Sequence, residues 1–258
     1  EVADVNLAFD DMSAELRASL QHQAELEQER RLFIGAVAHD LRTPLFSLRG
    51  SLEGLATGVA NTPEKQERYV AVAQEKADAL ERLIADLFDY TRLEYLDQTP
   101  NREPVDLAEL LGKLVEGDRS RAEAKGLTLS FSAPSAPCWI EGDPHLLTRA
   151  IENLLDNALR FTPSGGAIAV SCNAADGHVT FSIADTGPGI PTADLPHIFT
   201  PLYRGEGSRN RRTGGAGLGL AIAQKIITAH GGTLSAANRA EGGAVLVGEM
   251  REIEKAPD

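Results

Sequence analysis

Cysteine is scarce: Cys138 and Cys172 are the only two in 258 residues, and they form no CxxC spacing. That argues against a disulfide framework or a cysteine-built zinc site and fits a reducing compartment. Each cysteine is expected to be a small, half-buried side chain. Long apolar runs are missing too. None approaches the roughly 20 residues of a membrane span, and no signal peptide opens the chain, so a soluble protein is expected. An initiator methionine is also lacking, and the abrupt start suggests a piece of a longer protein. Basic charge is in deficit, with a net charge of −13. A general nucleic-acid binder needs a basic face, so that class is disfavoured. What remains is ordinary: 42% hydrophobic and 24% charged residues describe a globular chain with a core. The length allows more than one folded unit.

From Val2 to about Leu55 the only proline is Pro44, and apolar residues recur at helical spacing. Phe9, Met12 and Leu16 begin the stripe; Phe33, Val37, Leu41, Leu45, Leu48, Leu52 and Leu55 continue it. A long helix with one apolar stripe must bury it against a partner. Thr57 to Pro63 is turn chemistry, with Thr62 as helix cap and Pro63 at the first helical position. The second helix turns Val70, Ala73, Ala77, Leu80, Ile84, Leu87 and Leu93 inward. Two such helices make a poor core, whereas two copies make a four-helix bundle, so a homodimer is expected.

After a short linker ending at Pro104 the pattern changes. It predicts a helix over Val105–Lys125, strands over Leu127–Phe131 and Cys138–Glu141, and a strong helix over Asp143–Phe161. A hairpin follows around Asp176-Gly177, formed by Ala167–Asn173 and His178–Ala184. A helix over Leu218–Ala229 and a last hairpin, Thr233–Asn238 with Ala244–Met250, end the chain. Hairpins grouped with helices suggest an α+β sandwich, one sheet covered on one face by helices.

Four strings carry chemistry. In His39-Asp40-Leu41-Arg42-Thr43-Pro44, His39 and Thr43 share a helical face, with Asp40 beside the histidine. Pro44 cannot donate to the Asp40 carbonyl, so a bend is expected there. The string reads either as an imidazole nucleophile whose proton a carboxylate accepts, or as a surface histidine on a kinked helix. In Glu152–Phe161, Asn153 and Asn157 project from one face and can offer amide oxygens to Mg2+, with Arg160 one turn on for a phosphate. Surface decoration is the bland alternative, although asparagine is a mediocre helix former. Asp185-Thr186-Gly187-Pro188-Gly189-Ile190 follows a strand; its glycines allow close approach of a flat ligand, and its aspartate can accept an exocyclic amine. Taken alone it could be just a turn. Gly214–Ile222 is a glycine cluster opening a helix, a phosphate site without P-loop spacing. Just upstream, Arg204, Arg209, Arg211 and Arg212 lie among glycines, either a mobile lid over phosphates or a solvated loop.

The order of these strings resembles the sensor histidine kinases of two-component systems over about Arg30–Arg251. His39–Pro44 looks like the H box, Glu152–Phe161 the N box, Asp185–Ile190 the G1 box, His197–Arg204 the F box and Gly214–Ile222 the G2 box. The resemblance implies a histidine phosphotransfer bundle followed by an ATP-binding domain of the gyrase, Hsp90, kinase and MutL (Bergerat) type. By similarity His39 is the phospho-acceptor, Asp40 its base and Thr43 the residue that positions water for dephosphorylating the partner. Asn153 and Asn157 match Mg2+ and phosphate ligands, Arg160 a phosphate contact and Phe161 an adenine-packing ring. Asp185 matches the adenine-amine acceptor beside Gly187 and Gly189; Arg204, Gly215, Gly217, Leu218 and Gly219 match phosphate and lid positions.

The implied activity is MgATP-dependent autophosphorylation of His39, then transfer to the aspartate of a response regulator, with phosphatase activity beside it. Residues 1–12 resemble the end of a HAMP relay, which implies an upstream receptor in a bacterial inner membrane and a cytoplasmic place for this part. The implied division is 1–30 signalling helix, 31–98 phosphotransfer domain, 99–104 linker, 105–252 ATP-binding domain and 253–258 tail. One departure stands out: Leu202 replaces the F box's second phenylalanine, and Thr200-Pro201 a charged pair. A non-enzymatic scaffold and a gyrase-type ATPase clamp are the competing readings; the complete set of boxes disfavours the first, and His39–Pro44 is unexplained by the second.

Overall fold

A computed structural model describes residues 2–95, 101–205 and 217–254. The chain divides into two compact units, Glu1–Leu80 and Glu81–Asp258. The first is helical: α1 (Val2–Ala56) continues through Pro44, and α2 (Pro63–Tyr95) begins in this unit and runs on into the second. The Thr62 hydroxyl accepts from the Lys65 amide at 3.3 Å, so the expected cap is present. Tyr69 of α2 packs where a side chain on Gly54 would stand, which lets the helices approach closely. Phe9 falls among the residues of α1 whose side chains are not described.

In the single chain part of the expected inward set is uncovered. Ala73 is buried, but Val70 is 43% and Ile84 56% exposed, while Leu83 is buried in its place. A hairpin has one seam and encloses only the positions on it. The stripe read from the sequence is wider than that seam, and Leu45, Phe46 and Leu52 also remain exposed.

In the second unit, β1 (Glu103–Asp106) pairs antiparallel with β3 (Trp139–Gly142). The five-stranded sheet has the order β2 (Thr128–Ser132), β4 (Ala167–Ala175), β5 (His178–Asp185), β7 (Ala244–Arg251) and β6 (Thr233–Asn238). The β2–β4 pair is parallel and the others antiparallel. Asp176 and Gly177 both have positive φ (54° and 75°), the twist a two-residue hairpin needs. Ile168, Val170 and Cys172 of β4 and Val179, Phe181 and Ile183 of β5 alternate into the core. The opposite face is polar, with Ser171 and Ser182 hydroxyls 2.7 Å apart across the pair. Helices α3 (Leu107–Ala124), α4 (Pro144–Phe161) and α5 (Gly219–Ala229) bury their apolar sides with the core face of the sheet.

Two expectations need correction. The first helix of this unit starts at Leu107, not Val105, because Asp106 is its cap: Asp106 Oδ1 accepts from the amides of Ala108 (3.1 Å) and Glu109 (3.4 Å). Residues before the cap are therefore extended and free to pair, and the end of the expected linker is strand β1. The cysteines are fully buried rather than half-buried, and burial raises the pKa of both thiols.

Asp106 Oδ1 also accepts from the Cys138 amide at 3.0 Å, joining α3 to the approach of β3. Asp106→Ala should cost about 2 kcal/mol, a lost cap plus a lost charge-assisted bond. Urea unfolding should show a lower midpoint at unchanged slope, and Asp106→Asn should recover most of the loss.

Candidate functional site

Helix α4 is built to hold a polar face still. Asp143 caps it by accepting from the amides of His145 (3.0 Å) and Leu146 (3.2 Å), and Pro144 opens it. Leu147, Ala150, Ile151, Leu154, Leu155, Ala158 and Leu159 are all buried. The face they leave carries Asn153, Asn157, Arg160 and Phe161, each half-buried. Asn153 Nδ2 and Arg160 Nε are enclosed without a hydrogen-bond partner among the described residues. Buried polar groups are rarely left unpaired, and the polar atoms of a ligand would suit these two. The Arg160 guanidinium lies 5.3 Å from the Phe161 ring centroid. Burial, and after it the like charge of Arg204, holds the Arg160 pKa below its ordinary value. An anion beside these two arginines would relieve that cost.

Across from α4, β5 ends in Asp185, which is buried. Its Oδ1 accepts from the amides of Gly187 (2.7 Å) and Ala244 (3.3 Å). Both donors fall on one oxygen. A side chain at Gly187 would stand 2.8 Å from that oxygen and 3.0 Å from the Phe161 carbonyl, so only glycine lets the loop lie between Asp185 and the end of α4. Gly189 (φ 76°) continues the turn.

Two residues that the sequence reading missed hold this loop. Asn238 Oδ1 accepts from the Ile190 amide at 2.7 Å, and its Nδ2 donates to the Ile190 carbonyl at 2.6 Å. Arg239 Nη1 donates to the Asp185 carbonyl at 2.9 Å. The only local signal for either was its place at the end of a predicted strand.

The glycine cluster closes the third side. A side chain at Gly219 would lie 3.4 Å from Asn153 Oδ1, so the first turn of α5 faces the asparagine. Gly217 has φ 71°; its carbonyl accepts from the Leu202 amide at 3.0 Å, and a side chain there would strike the Tyr203 carbonyl. Leu202 itself has φ 62°, an uncommon setting for a branched apolar residue. Tyr203 donates to Asp194 Oδ1 at 2.7 Å, which ties down the segment leading to Arg204. Leu218 is fully buried, so only its backbone is left for a ligand. Gly215 and the arginines Arg209, Arg211 and Arg212, with the lid expected there, lie outside the described residues.

The structure thus brings Asn153, Asn157, Arg160 and Phe161 together on α4, with Asp185 and Gly187 against Phe161 and with Gly217 and Gly219 at the start of α5. It does the same, separately, for the histidine string. His39 and Thr43 are exposed and Asp40 half-buried on α1. The Thr43 hydroxyl donates to the His39 carbonyl at 3.4 Å, a long and weak bond.

Residues 29–96 match the His Kinase A (phospho-acceptor) domain, and residues 142–252 match the histidine kinase-, DNA gyrase B-, and HSP90-like ATPase. The signal transduction histidine-protein kinase BaeS of Escherichia coli (strain K12) is 39% identical over 225 residues, 87% of this chain and 47% of that protein. The sensor histidine kinase WalK of Bacillus subtilis (strain 168) is 32% identical over 214 residues, 82% of this chain and 35% of that protein. Among solved structures, the Acinetobacter baumannii histidine kinase AdeS superposes with a TM-score of 0.67 at 26% identity, covering 84% of this chain and 98% of that one. The chain belongs to the sensor histidine kinases of two-component systems. It spans about half or less of the length of the relatives it matches, 47% of BaeS and 35% of WalK.

The two Asn238 bonds are each worth roughly 1 kcal/mol net, and they set the loop that carries Gly187. Asn238→Ala should therefore weaken ADP binding about tenfold or more by calorimetry, with a cooperative unfolding transition retained. Unchanged affinity would remove Asn238 from the site.

Proposed function

We propose that this chain is the catalytic part of a sensor histidine kinase that uses MgATP to phosphorylate its own His39 and passes the phosphoryl group to a response regulator's aspartate. The observation that carries the reading is the convergence of the unpaired Asn153 and Arg160 atoms, the Asp185 niche and the start of α5 on one side of α4. Residues 31–98 are taken as the phosphotransfer part, 103–252, which include strand β1, as the ATP-binding part, 99–102 as the linker between them and 253–258 as a tail. Residues 1–30 are the end of an upstream relay, and a membrane anchor beyond it would place this part in the cytoplasm of a bacterium.

The residues present suit the nucleotide. Asp185 accepts the adenine amine, and Phe161 offers its ring to the base. Gly187 and Gly189 keep the loop beside it thin. Arg160 and Arg204 supply charge for phosphates, and Gly215, Gly217, Leu218 and Gly219 supply backbone amides, a helix N-terminus being suited to anions. Amide oxygens of Asn153 and Asn157 are hard donors of the kind Mg2+ takes together with phosphate oxygens, and the metal would neutralise the charge that develops during transfer. On α1, the His39 imidazole forms a nitrogen–phosphorus bond as the bond from the γ-phosphorus to the ADP oxygen breaks, and Asp40 accepts the imidazole proton. Transfer to the regulator then breaks the nitrogen–phosphorus bond and forms an acyl phosphate.

A second copy of the chain completes the bundle. Leu45, Leu48, Leu52 and Ala56 line a shallow groove of about 410 Å³ on α1, edged by Arg49 and Glu53, and two helices leave these side chains uncovered.

Incubation with ATP labelled at the γ-phosphate should leave an acid-labile, base-stable label on the chain, and His39→Gln should abolish it while still binding ATP. No retained label would leave an ATPase clamp or a scaffold. Asp40→Asn should slow labelling by about 10²–10⁴-fold, the range for a lost general base. Thr43→Ala should spare labelling and remove regulator dephosphorylation, because its hydroxyl is held only weakly by the His39 carbonyl. Parallel loss of both activities would make Thr43 a residue that shapes the helix.

A further inference from the structure

His230 is the residue just after α5 and is 6% exposed. Its two ring nitrogens meet partners of opposite kind. Nδ1 lies 2.7 Å from the Ile226 carbonyl, which can only accept, so Nδ1 carries a proton. Nε2 lies 2.9 Å from the Asp143 amide, which can only donate, so Nε2 is bare. One protonation state satisfies both contacts, the neutral ring with its hydrogen on Nδ1. Gly142 gives the ring its place: a side chain there would stand 3.0 Å from His230 Cδ2.

The Asp143 amide belongs to the residue that caps α4, so the contact joins the end of α5 to the start of α4. The start of α5 meets α4 at its middle, where Gly219 faces Asn153. Asp143 to Asn153 is about 15 Å of helix and Gly219 to His230 about 16.5 Å at the standard rise. The whole of α5 thus runs antiparallel along the first half of α4 and meets it at both ends of that stretch. A slip at the His230 end carries through the packed pair to the asparagine.

We infer that His230 is a positioning residue of the nucleotide site, which in its neutral Nδ1-protonated form fastens α5 to the cap of α4 and on protonation at Nε2 releases it. The inference rests on the nucleotide reading of that site. A proton on Nε2 would face the Asp143 amide hydrogen, turning a bond into a repulsion. The charged groups around the ring are Arg102, whose Nη2 donates to the adjacent Ala229 carbonyl at 2.8 Å, Glu141, 4.0 Å from Arg102, and Asp143 itself. Burial pushes the His230 pKa below its ordinary value; the Ile226 carbonyl and Asp143 oppose that, and Arg102 adds to it.

The sign of the pH effect follows. With the folded value below the 6.5 of an unperturbed histidine, the unfolded chain takes up the proton first as pH falls. Stability is full above that value and declines below it, the folded-to-unfolded ratio dropping by up to about tenfold per pH unit for one linked proton until the folded pKa is passed.

Two measurements on the full chain test this. The first is a long-range proton–nitrogen spectrum of 15N-histidine protein, with the His230 signal identified by its loss in His230→Gln. It should show the Nδ1-protonated ring, unchanged at about pH 6.5, where an unperturbed imidazole is half charged. An Nε2-protonated ring, or half-protonation of the ring at about pH 6.5 or above, would overturn the proposal without reference to any variant's folding. The second is MgADP affinity and urea midpoint against pH. Both should fall on the acid side in the wild type. In His230→Gln, whose amide oxygen can still accept from Asp143 but does not titrate there, that fall should shrink. An identical acid-side profile in His230→Gln would overturn the inference. Should MgADP fail to bind at any pH, the nucleotide reading fails, while the ring spectrum still decides how α4 and α5 are joined.

Discussion

Helix α4 has a single way to lie. Seven of its side chains are buried in the core, and turning the helix by one residue would put Asn153 or Asn157 where Leu154 or Ala158 now packs. Burying an unpaired amide costs on the order of 1–3 kcal/mol, and exposing a leucine costs a similar amount, so the register is held from both sides. The polar face is therefore placed by the apolar one. Asn153, Asn157, Arg160 and Phe161 need no network of their own to be aimed, which is why two of their polar atoms can stay unpaired among the described residues.

The rest of the site is assembled against that helix by parts of the chain far apart in sequence. β5 delivers Asp185, and the last hairpin delivers its fixtures: Asn238, Arg239 and the Ala244 amide. Amide donors on one oxygen keep the buried carboxylate pointed and leave the other oxygen to accept an amine. The F-box departure fits the same frame. Leu202 takes up a left-handed backbone so that its amide reaches Gly217, which couples the segment before Arg204 to the start of α5. The histidine string lies on a different unit, and its chemistry depends on His39 being exposed beside Asp40.

Much of this was readable from the sequence, for local reasons. Asp143-Pro144 before an apolar stripe marks the start of α4, and Asp176-Gly177 marks a hairpin, because a cap and a tight turn are decided within a few residues. Strand β1 was not readable. It is four residues long, and its pairing with Trp139–Gly142 depends on chain more than thirty residues away. Asn238 and Arg239 were missed for the same reason, since their partners lie 48 and 54 residues back. Val70 and Ile84 were placed inward by periodicity, yet periodicity reports an apolar face and not which neighbour covers it. His230 gave no signal at all, because its role is defined by which nitrogen meets which backbone group.

The central claim is that a nucleotide lies between the polar face of α4, the Asp185 loop and the first turn of α5. Nitrogen-labelled protein titrated with a non-hydrolysable magnesium ATP analogue tests it directly. The side-chain amide signals of Asn153 and Asn157 and the backbone amides of Gly187 and Gly219 should shift together, saturating at one equivalent, while Ser171 and Ser182 on the open sheet face stay still. Shifts confined to that open face, or none at saturating nucleotide, would contradict the account.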